Sequence, residues 1–64
     1  MVDGYGKLIK RLLREHGWTK LRQGKGDHEI WWNPDTKDQV TVDNTRSRHL
    51  AQIILKAAGI DHRL

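Results

Sequence analysis

The spacing of apolar residues changes twice along this chain, and that change most constrains how the chain can fold. Near both ends, apolar residues recur every three or four positions, which is typical of amphipathic helices. Between these stretches lie short runs of β-branched and aromatic residues, separated by segments that contain Gly or Pro, which is typical of strands and turns. Because 64 residues can bury only one small core, the pattern predicts a single domain over residues 1–64, with its core between residues 5 and 60.

Two helices are predicted. The first covers Tyr5–His16 and ends at Gly17, a residue suited to a left-handed C-terminus, with Trp18 packing back on the last turn. Its apolar side is formed by Tyr5, Leu8, Ile9, Leu12, Leu13 and His16, and its basic side by Lys7, Lys10, Arg11 and Arg14. The second helix covers Arg48–Ala58, after capping residues in Asp43–Ser47. Its predicted buried stripe consists of Leu50, Ile53, Ile54 and Ala57, widened by Ala51 and Ala58.

Three strands are predicted between the helices, over Trp18–Gln23, His28–Asn33 and Gln39–Val42. The short connections favour an antiparallel meander. Two amphipathic helices and one small sheet must cover each other, so we expect a two-layer α+β fold of order α-β-β-β-α with both helices on one face of the sheet. The other face of the sheet is then open to solvent.

The charge of the chain favours a polyanionic partner. Twelve Lys and Arg residues against eight Asp and Glu residues give a net charge of +4 and a pI of about 9.9, which is typical of proteins that bind nucleic acid or an acidic protein. A soluble basic domain without such a partner is the alternative. The chain has no cysteine, and no apolar run approaches the ~20 residues that span a bilayer. We therefore expect a cytoplasmic protein with no membrane contact and no small-molecule cofactor.

The four histidines follow no metal-binding spacing, so no metal site is predicted. His16 lies in the last turn of a helix, where a cation interacts favourably with the helix dipole, and no motif surrounds His49 or His62. His28 differs because it opens the second strand after the loop Gly24–Asp27. An imidazole there, beside a Gly-containing basic loop, suits proton transfer at a phosphate. A single histidine at the start of a strand is nevertheless structural in most proteins, so the residues alone leave both roles open.

A series of short motifs occurs in a fixed order: His16-Gly17-Trp18, Arg22-Gln23, Gly26-x-His28, Ile30-Trp31, Asn33-Pro34-Asp35, and a closing segment Ile54–Ile60. Together these motifs resemble the HicA toxins of type II toxin–antitoxin pairs, over almost the whole chain from Gly6 to Ile60. The resemblance implies a fold like the double-stranded-RNA-binding domain. It also implies a ribonuclease that cleaves mRNA without a metal, inhibits translation and growth, and is neutralised by a HicB-like antitoxin.

The catalytic histidine of that family follows a Gly-Ser pair, and by position it corresponds to His28, with Gly26 before it. Asp27 stands where the family has serine. A carboxylate there repels the RNA phosphate and favours a protonated imidazole, so it either tunes the histidine or weakens the enzyme. Two other functions stay open, a non-catalytic RNA-binding module of the same fold and a small basic interaction protein.

RNA-binding residues are predicted around this histidine. Because side chains alternate along a strand, Trp31 and Trp32 lie on opposite faces. Trp31 occupies the aromatic position typical of the family and is assigned to the core with Trp18. Trp32 is then left to stack on a base, or alternatively to pack under the hairpin or at an antitoxin interface. The basic side of the first helix is a solvated face, a phosphate contact or an antitoxin contact. The predicted RNA-binding set is Lys7, Lys10, Lys20, Arg22, Lys25 and Trp32.

Overall fold

The computed structural model describes residues 4–26 and 28–64. Its elements are α1 (Gly6–Glu15), β1 (Thr19–Gln23), β2 (Glu29–Trp32), β3 (Gln39–Val42) and α2 (Arg48–Ala57). The strands form one antiparallel sheet in the order β1-β2-β3, and both helices lie on one face of it. The predicted two-layer α+β fold is therefore confirmed. Neither helix in the described part of the chain has the length and apolar content to cross a bilayer.

Six of the element ends lie one residue inside the predicted bounds, and the other four coincide with them. The residues predicted inside elements but placed just outside them are Tyr5, His16, Trp18, His28, Asn33 and Ala58. Tyr5 and His16 are instead the caps of α1, and Ala58 is the C-terminal cap of α2. The predicted strand Gln39–Val42 matches β3. These differences lie at the last residues of each helix or strand, where its regular backbone hydrogen bonding stops. Apolar spacing alone does not locate that point.

The helix start and stop signals work as predicted. Gly17 and Gly59 have φ angles of 86° and 74°, the left-handed conformation that glycine adopts without steric cost. The hydroxyl of Ser47 accepts a hydrogen bond of 3.2 Å from the backbone N–H of Leu50 and so caps α2. Gly17 and Gly59 thus follow the ends of α1 and α2, and Ser47 marks the start of α2.

The core lies between the helices and the sheet. Its buried residues are Ile9, Leu12, Leu13, Trp18, Trp31, Val40, Val42, Ala51, Leu55 and Ile60. Trp31 is 2% exposed and is the largest side chain at the centre, so its assignment to the core is confirmed, as is that of Trp18. On the predicted apolar side of α1, Ile9, Leu12 and Leu13 are buried, and Tyr5 and Leu8 are partly buried against the core. His16 is exposed, and its Nδ1 lies 2.8 Å from the carbonyl oxygen of Leu12.

The predicted buried stripe of α2 is confirmed at Ala51, Ile54 and Ala58, which pack in or against the core, but it is wrong at its other three positions. Leu50 and Ile53 are 51% and 49% exposed and Ala57 is exposed, whereas Leu55, which the stripe left out, is fully buried together with Ala51. Apolar residues surround more than half of this helix, so several arcs of its surface are apolar enough to face the core. The contact with the sheet and with α1 selects the arc centred on Ala51 and Leu55.

The segment after α2, residues 61–64, is held against that helix. The side-chain amide of Gln52 donates a hydrogen bond of 2.6 Å to the carbonyl oxygen of His62, and its oxygen accepts one of 3.0 Å from the backbone N–H of Leu64. The side chain of Leu64 packs against the core. One glutamine side chain thus binds the backbone of this short segment at both His62 and Leu64.

Substitutions in α2 test which arc faces the core. Leu55→Ala should lower the free energy of unfolding by about 2–5 kcal/mol because it leaves a cavity among buried side chains. Ile53→Ala, the matched control, should cost less than about 1 kcal/mol because half of its side chain is already in water. Urea unfolding followed by tryptophan fluorescence measures both. Equal losses, or a larger loss for Ile53→Ala, would mean that the other arc is buried.

Candidate functional site

The face of the sheet turned away from the helices carries a defined set of side chains. In β2, Ile30 lies directly opposite Arg22 of β1 and Thr41 of β3, and Trp32 lies opposite Thr19 and Gln39. Residues directly opposite each other in an antiparallel pair share one face. Since Trp31 and its partner Val40 are buried beneath the helices, the Ile30 and Trp32 rows face the other way. We call this surface the open face: Thr19, Arg22, Ile30, Trp32, Gln39 and Thr41.

His28 lies at one end of the open face, immediately before β2. Its carbonyl oxygen accepts hydrogen bonds from the backbone N–H of Gly24 at 2.8 Å and from the side-chain amide of Gln23 at 3.0 Å. Alternation along the strand places its side chain on the same side as Ile30. The side chain is 52% exposed. The backbone of His28 is therefore fixed while its ring stays accessible to solvent.

Asp43 faces this ring and was not among the residues singled out from the sequence. Its Oδ2 lies 3.6 Å from Nε2 of His28, and its side chain is 47% exposed. The contact follows from the register, because Glu29 pairs with Val42 and the residues one step further, His28 and Asp43, then lie opposite each other. The contact becomes an ion pair when the imidazole is protonated.

A second group of charged residues lies on the helix side of the same strand. The Glu29 carboxylate accepts a hydrogen bond of 3.2 Å from Lys10 Nζ and one of 3.0 Å from Trp31 Nε1, and Lys20 Nζ lies 3.8 Å from it. A cavity of about 300 Å³ adjoins this group between the start of α1 and the β1–β2 loop, and Lys7 and Lys10 are among its lining residues. Lys10 thus ties α1 to the strand that follows His28.

The pKa of Glu29 lies below its ordinary value of 4.5. Burial of the carboxylate raises the pKa, but the hydrogen bonds from Trp31 and Lys10 and the charges of Lys10 and Lys20 together outweigh burial and lower it. Glu29 is therefore ionised at neutral pH and contributes to the stability of the sheet in that state.

The residues predicted to bind RNA fall on two sides of the sheet. Arg22 and Trp32 lie on the open face with His28, whereas Lys7, Lys10 and Lys20 lie on the helix side, around the cavity and Glu29. Lys25 is exposed in the loop between β1 and β2, where Gly26 has a φ angle of 65°. Asp27, the residue at the serine position, lies outside the described residues. The structure therefore does not bring the whole predicted set together.

The basic side of α1 is partly engaged within the molecule. Arg11 lies 4.0 Å from Glu15, the guanidinium of Arg14 lies 5.3 Å from the ring centre of Trp31, and Lys10 binds Glu29. Of the three interpretations of this side, a solvated face with internal partners agrees best with these contacts.

Lys37 is a further residue that the sequence did not indicate. Its Nζ lies 5.3 Å from the ring centre of Trp32. Its φ angle is 67°, and no other non-glycine residue in the described ranges has a positive φ. Lysine rarely adopts a positive φ, and its presence in a turn does not signal one as glycine or asparagine does. Nothing in the sequence therefore singles out Lys37.

The remaining histidines lie apart from this site. His49 is on the surface of α2 and His62 is in the C-terminal segment. Within residues 4–26 and 28–64, no three His, Cys, Asp or Glu side chains are grouped closely enough to hold a metal ion.

Fold and site together define a small α-β-β-β-α protein with an accessible histidine at the end of an uncovered sheet. The model of the family described as "HicA toxin of bacterial toxin-antitoxin" matches residues 6–60. The chain belongs to this HicA toxin family, as its motifs suggested. A search of curated proteins and a search of solved structures gave no significant match.

Acid should weaken the Glu29 group. The folded-state pKa of Glu29 is lowered, so the stability it provides is present above about pH 4.5 and is lost as pH falls through the folded pKa. Glu29→Gln should therefore be less stable than the parent near neutral pH, and the difference should shrink on acidification below that window. Urea unfolding across the pH range measures this.

The control for this experiment is Glu15→Gln, which removes the exposed Arg11–Glu15 pair. Exposed pairs contribute little to stability, so this variant should stay close to the parent at every pH. A Glu29→Gln deficit that stayed constant with pH would show that the carboxylate charge is not the source of the stabilisation.

Proposed function

We propose that this toxin is an endoribonuclease that cleaves mRNA, with His28 transferring the proton. Membership of the family establishes a toxin of a toxin–antitoxin system, and the ribonuclease activity is our inference. The observation that supports it is the His28–Asp43 pair, an accessible imidazole fixed by its backbone and facing a carboxylate 3.6 Å away at the end of an uncovered sheet.

The proposed reaction is an internal transesterification of RNA. The ribose 2′-oxygen forms a bond to the adjacent phosphorus and the bond from phosphorus to the 5′-oxygen breaks, which leaves a 2′,3′-cyclic phosphate and a 5′-hydroxyl. His28 accepts the proton of the 2′-hydroxyl as general base or donates a proton to the leaving 5′-oxygen as general acid, and water exchanges the other proton. A single such group contributes about 10²–10⁴-fold in rate.

Asp43 acts as a positioning residue in this scheme. A carboxylate beside Nε2 restricts the orientation of the ring and stabilises the imidazolium that forms when the ring takes up a proton, the same role that an aspartate plays beside other catalytic histidines. The step requires no metal and no organic cofactor, because the nucleophile and the leaving group both belong to the RNA.

Cations near His28 are proposed to hold the phosphate. Arg22 lies on the open face two positions from His28 in register, opposite Ile30, and a guanidinium there can bind two phosphate oxygens at once. Lys25 in the adjacent loop is a second contact. Lys7, Lys10 and Lys20 lie on the helix side and are proposed to contact RNA further from the cleaved bond. Lys7 is the main contact in this proposal, because Lys10 and Lys20 also bind Glu29.

The family also implies an antitoxin partner. We propose that it is a HicB-like protein that covers the His28 region, and that both proteins act in the cytoplasm, where mRNA is found. Asp27 at the serine position favours one rival, an RNA-binding module of the same fold without cleavage, and the chain's charge of +4 favours a small interaction protein. Cleavage assays separate the enzyme from both.

His28→Ala should abolish RNA cleavage by the purified protein and growth inhibition on induced expression. The fold should remain intact, because half of the side chain is already in water and its loss leaves no core cavity. His49→Ala, which removes an exposed histidine of α2, is the matched control and should keep full activity. Undiminished cleavage by folded His28→Ala would overturn the assignment.

Asp43→Asn should lower kcat by less than His28→Ala does, and it should leave KM and the thermal midpoint close to those of the parent. Asparagine keeps the shape of the side chain but removes the charge that stabilises the protonated ring. Single-turnover and steady-state cleavage of a fluorogenic RNA measure the effects on kcat and on KM separately. A change in KM alone would assign Asp43 to substrate binding.

A further inference from the structure

We propose that the open face binds single-stranded RNA, with an unpaired base at Trp32 and Lys37 and the cleaved phosphate at His28 on the other end of β2. The inference rests on the proposed ribonuclease function and specifies its substrate class. Its central residue pair, Trp32 with Lys37, lies at the end of the face opposite the His28–Asp43 pair.

Trp32 is placed where core packing does not require an indole. Trp31 already fills the centre of the core, and Trp32, which is half-buried, lies in a row with the polar residues Thr19 and Gln39. An aromatic ring on a solvent-facing sheet, among short polar neighbours, presents a flat surface that stacks on any base. Base stacking therefore gives this residue a function that packing does not.

The turn after β2 directs Lys37 toward that ring. Asn33 forms two backbone hydrogen bonds across the turn, accepting 2.7 Å from the N–H of Lys37 and donating 2.9 Å to the carbonyl oxygen of Asp38. This closure holds Lys37 at a φ angle of 67°, where lysine is strained and glycine is not. The strained conformation places the ammonium 5.3 Å from the ring centre of Trp32, so a cation and an aromatic surface are presented together.

The spacing along β2 suits an extended strand. Trp32 is four residues from His28, which at the rise of a β-strand corresponds to about 13 Å. Arg22 lies between them on the same face, opposite Ile30. A chain that runs along β2 thus meets a stacking surface, a phosphate-binding cation and the imidazole in turn. A base can stack on Trp32 only if it is unpaired, because a duplex keeps its bases inside.

The helix side is less suited to a duplex than the fold type suggests. Domains of the double-stranded-RNA-binding type contact the duplex by its shape, its 2′-hydroxyls and its phosphates. In this protein Lys10 is bound to Glu29 and Arg11 approaches Glu15. These carboxylate contacts engage two of the four cations that α1 would present to phosphates, so the open face is the better surface for RNA.

The test measures binding in a His28→Ala background, so that the probe is not cut. Fluorescence anisotropy compares a labelled single-stranded oligoribonucleotide with the same sequence annealed to its complement. Trp32→Ala should weaken binding of the single strand by roughly 5- to 100-fold, and Trp32→Phe should retain most of it. Lys37→Gly, which also relieves the backbone strain, should weaken binding without loss of thermal stability, and Lys37→Arg should retain it.

The control is Lys56→Ala, which removes an exposed lysine of α2 on the other layer and changes the net charge by the same amount as Lys37→Gly. If it weakens binding as much as Lys37→Gly does, only net charge matters and the proposal is wrong. Tighter binding of the duplex, or full affinity in folded Trp32→Ala, also overturns it. In the cleavage-competent protein, Trp32→Ala and Lys37→Gly should raise KM by a larger factor than they lower kcat, whereas Trp32→Phe should stay close to the parent.

These outcomes separate the inference from the proposed function. Cleavage by the parent protein with no effect of Trp32 or Lys37 variants leaves the ribonuclease standing and removes the single-strand site. Binding of the single strand that depends on Trp32, in a parent protein that cuts no RNA, keeps the site and makes the protein an RNA-binding module.

Discussion

The alternation of side chains along β2 is the constraint on which the rest of the structure depends. Trp31 is buried at the centre of the core, and this fixes which residues of the strand face inward. Glu29 shares that face and accepts a hydrogen bond of 3.0 Å from Trp31 Nε1. Two successive inward-facing side chains of β2 are therefore fixed relative to each other. The same alternation turns His28 and Trp32 outward. A shift of one residue in register would exchange the two faces, burying the imidazole and exposing the core tryptophan. Core and candidate site are therefore specified by one choice of register.

The order of elements, the sheet topology and the turn signals could all be predicted from the sequence, because each depends on local chemistry. Gly17 and Gly59 adopt the left-handed conformation expected of them, and Ser47 caps α2. The orientation of α2 could not be predicted in this way. Leu50 and Ile53 are as apolar as Leu55, and only the position of the sheet decides that Leu55 is buried. Hydrophobic periodicity locates a helix in the sequence. It does not determine how the helix is rotated about its own axis when the apolar arc is wider than the surface that contacts the rest of the protein.

In the candidate site too, residues marked by a local motif could be predicted, whereas residues that act through distant contacts could not. His28 was indicated by its motif and its loop, whereas Asp43 lies fifteen positions away (43 minus 28) and meets it only through the β2–β3 register. Lys37 was missed because its importance comes from a backbone angle and from its distance to Trp32. Lys10 was grouped with the RNA-binding residues because it lies on the basic side of the first helix, and Lys20 because it is close in sequence to Arg22 and Lys25. The structure shows Lys10 and Lys20 bound to a carboxylate that no local pattern pairs with them.

The two faces of the sheet therefore carry charge for different purposes. On the helix side, Glu29 neutralises part of the charge of Lys10 and Lys20, and in doing so it joins α1 to the start of β2. On the open face, Arg22 and Lys37 lie near the half-buried ring of Trp32, and the His28–Asp43 pair lies at the other end of β2. Because the backbone of His28 is held by Gln23 and Gly24, and Glu29 beside it is held by Lys10, the imidazole is positioned by contacts that lie away from the proposed RNA-binding surface. An antitoxin that covers the open face can then exclude RNA by occupancy alone, without distorting the histidine.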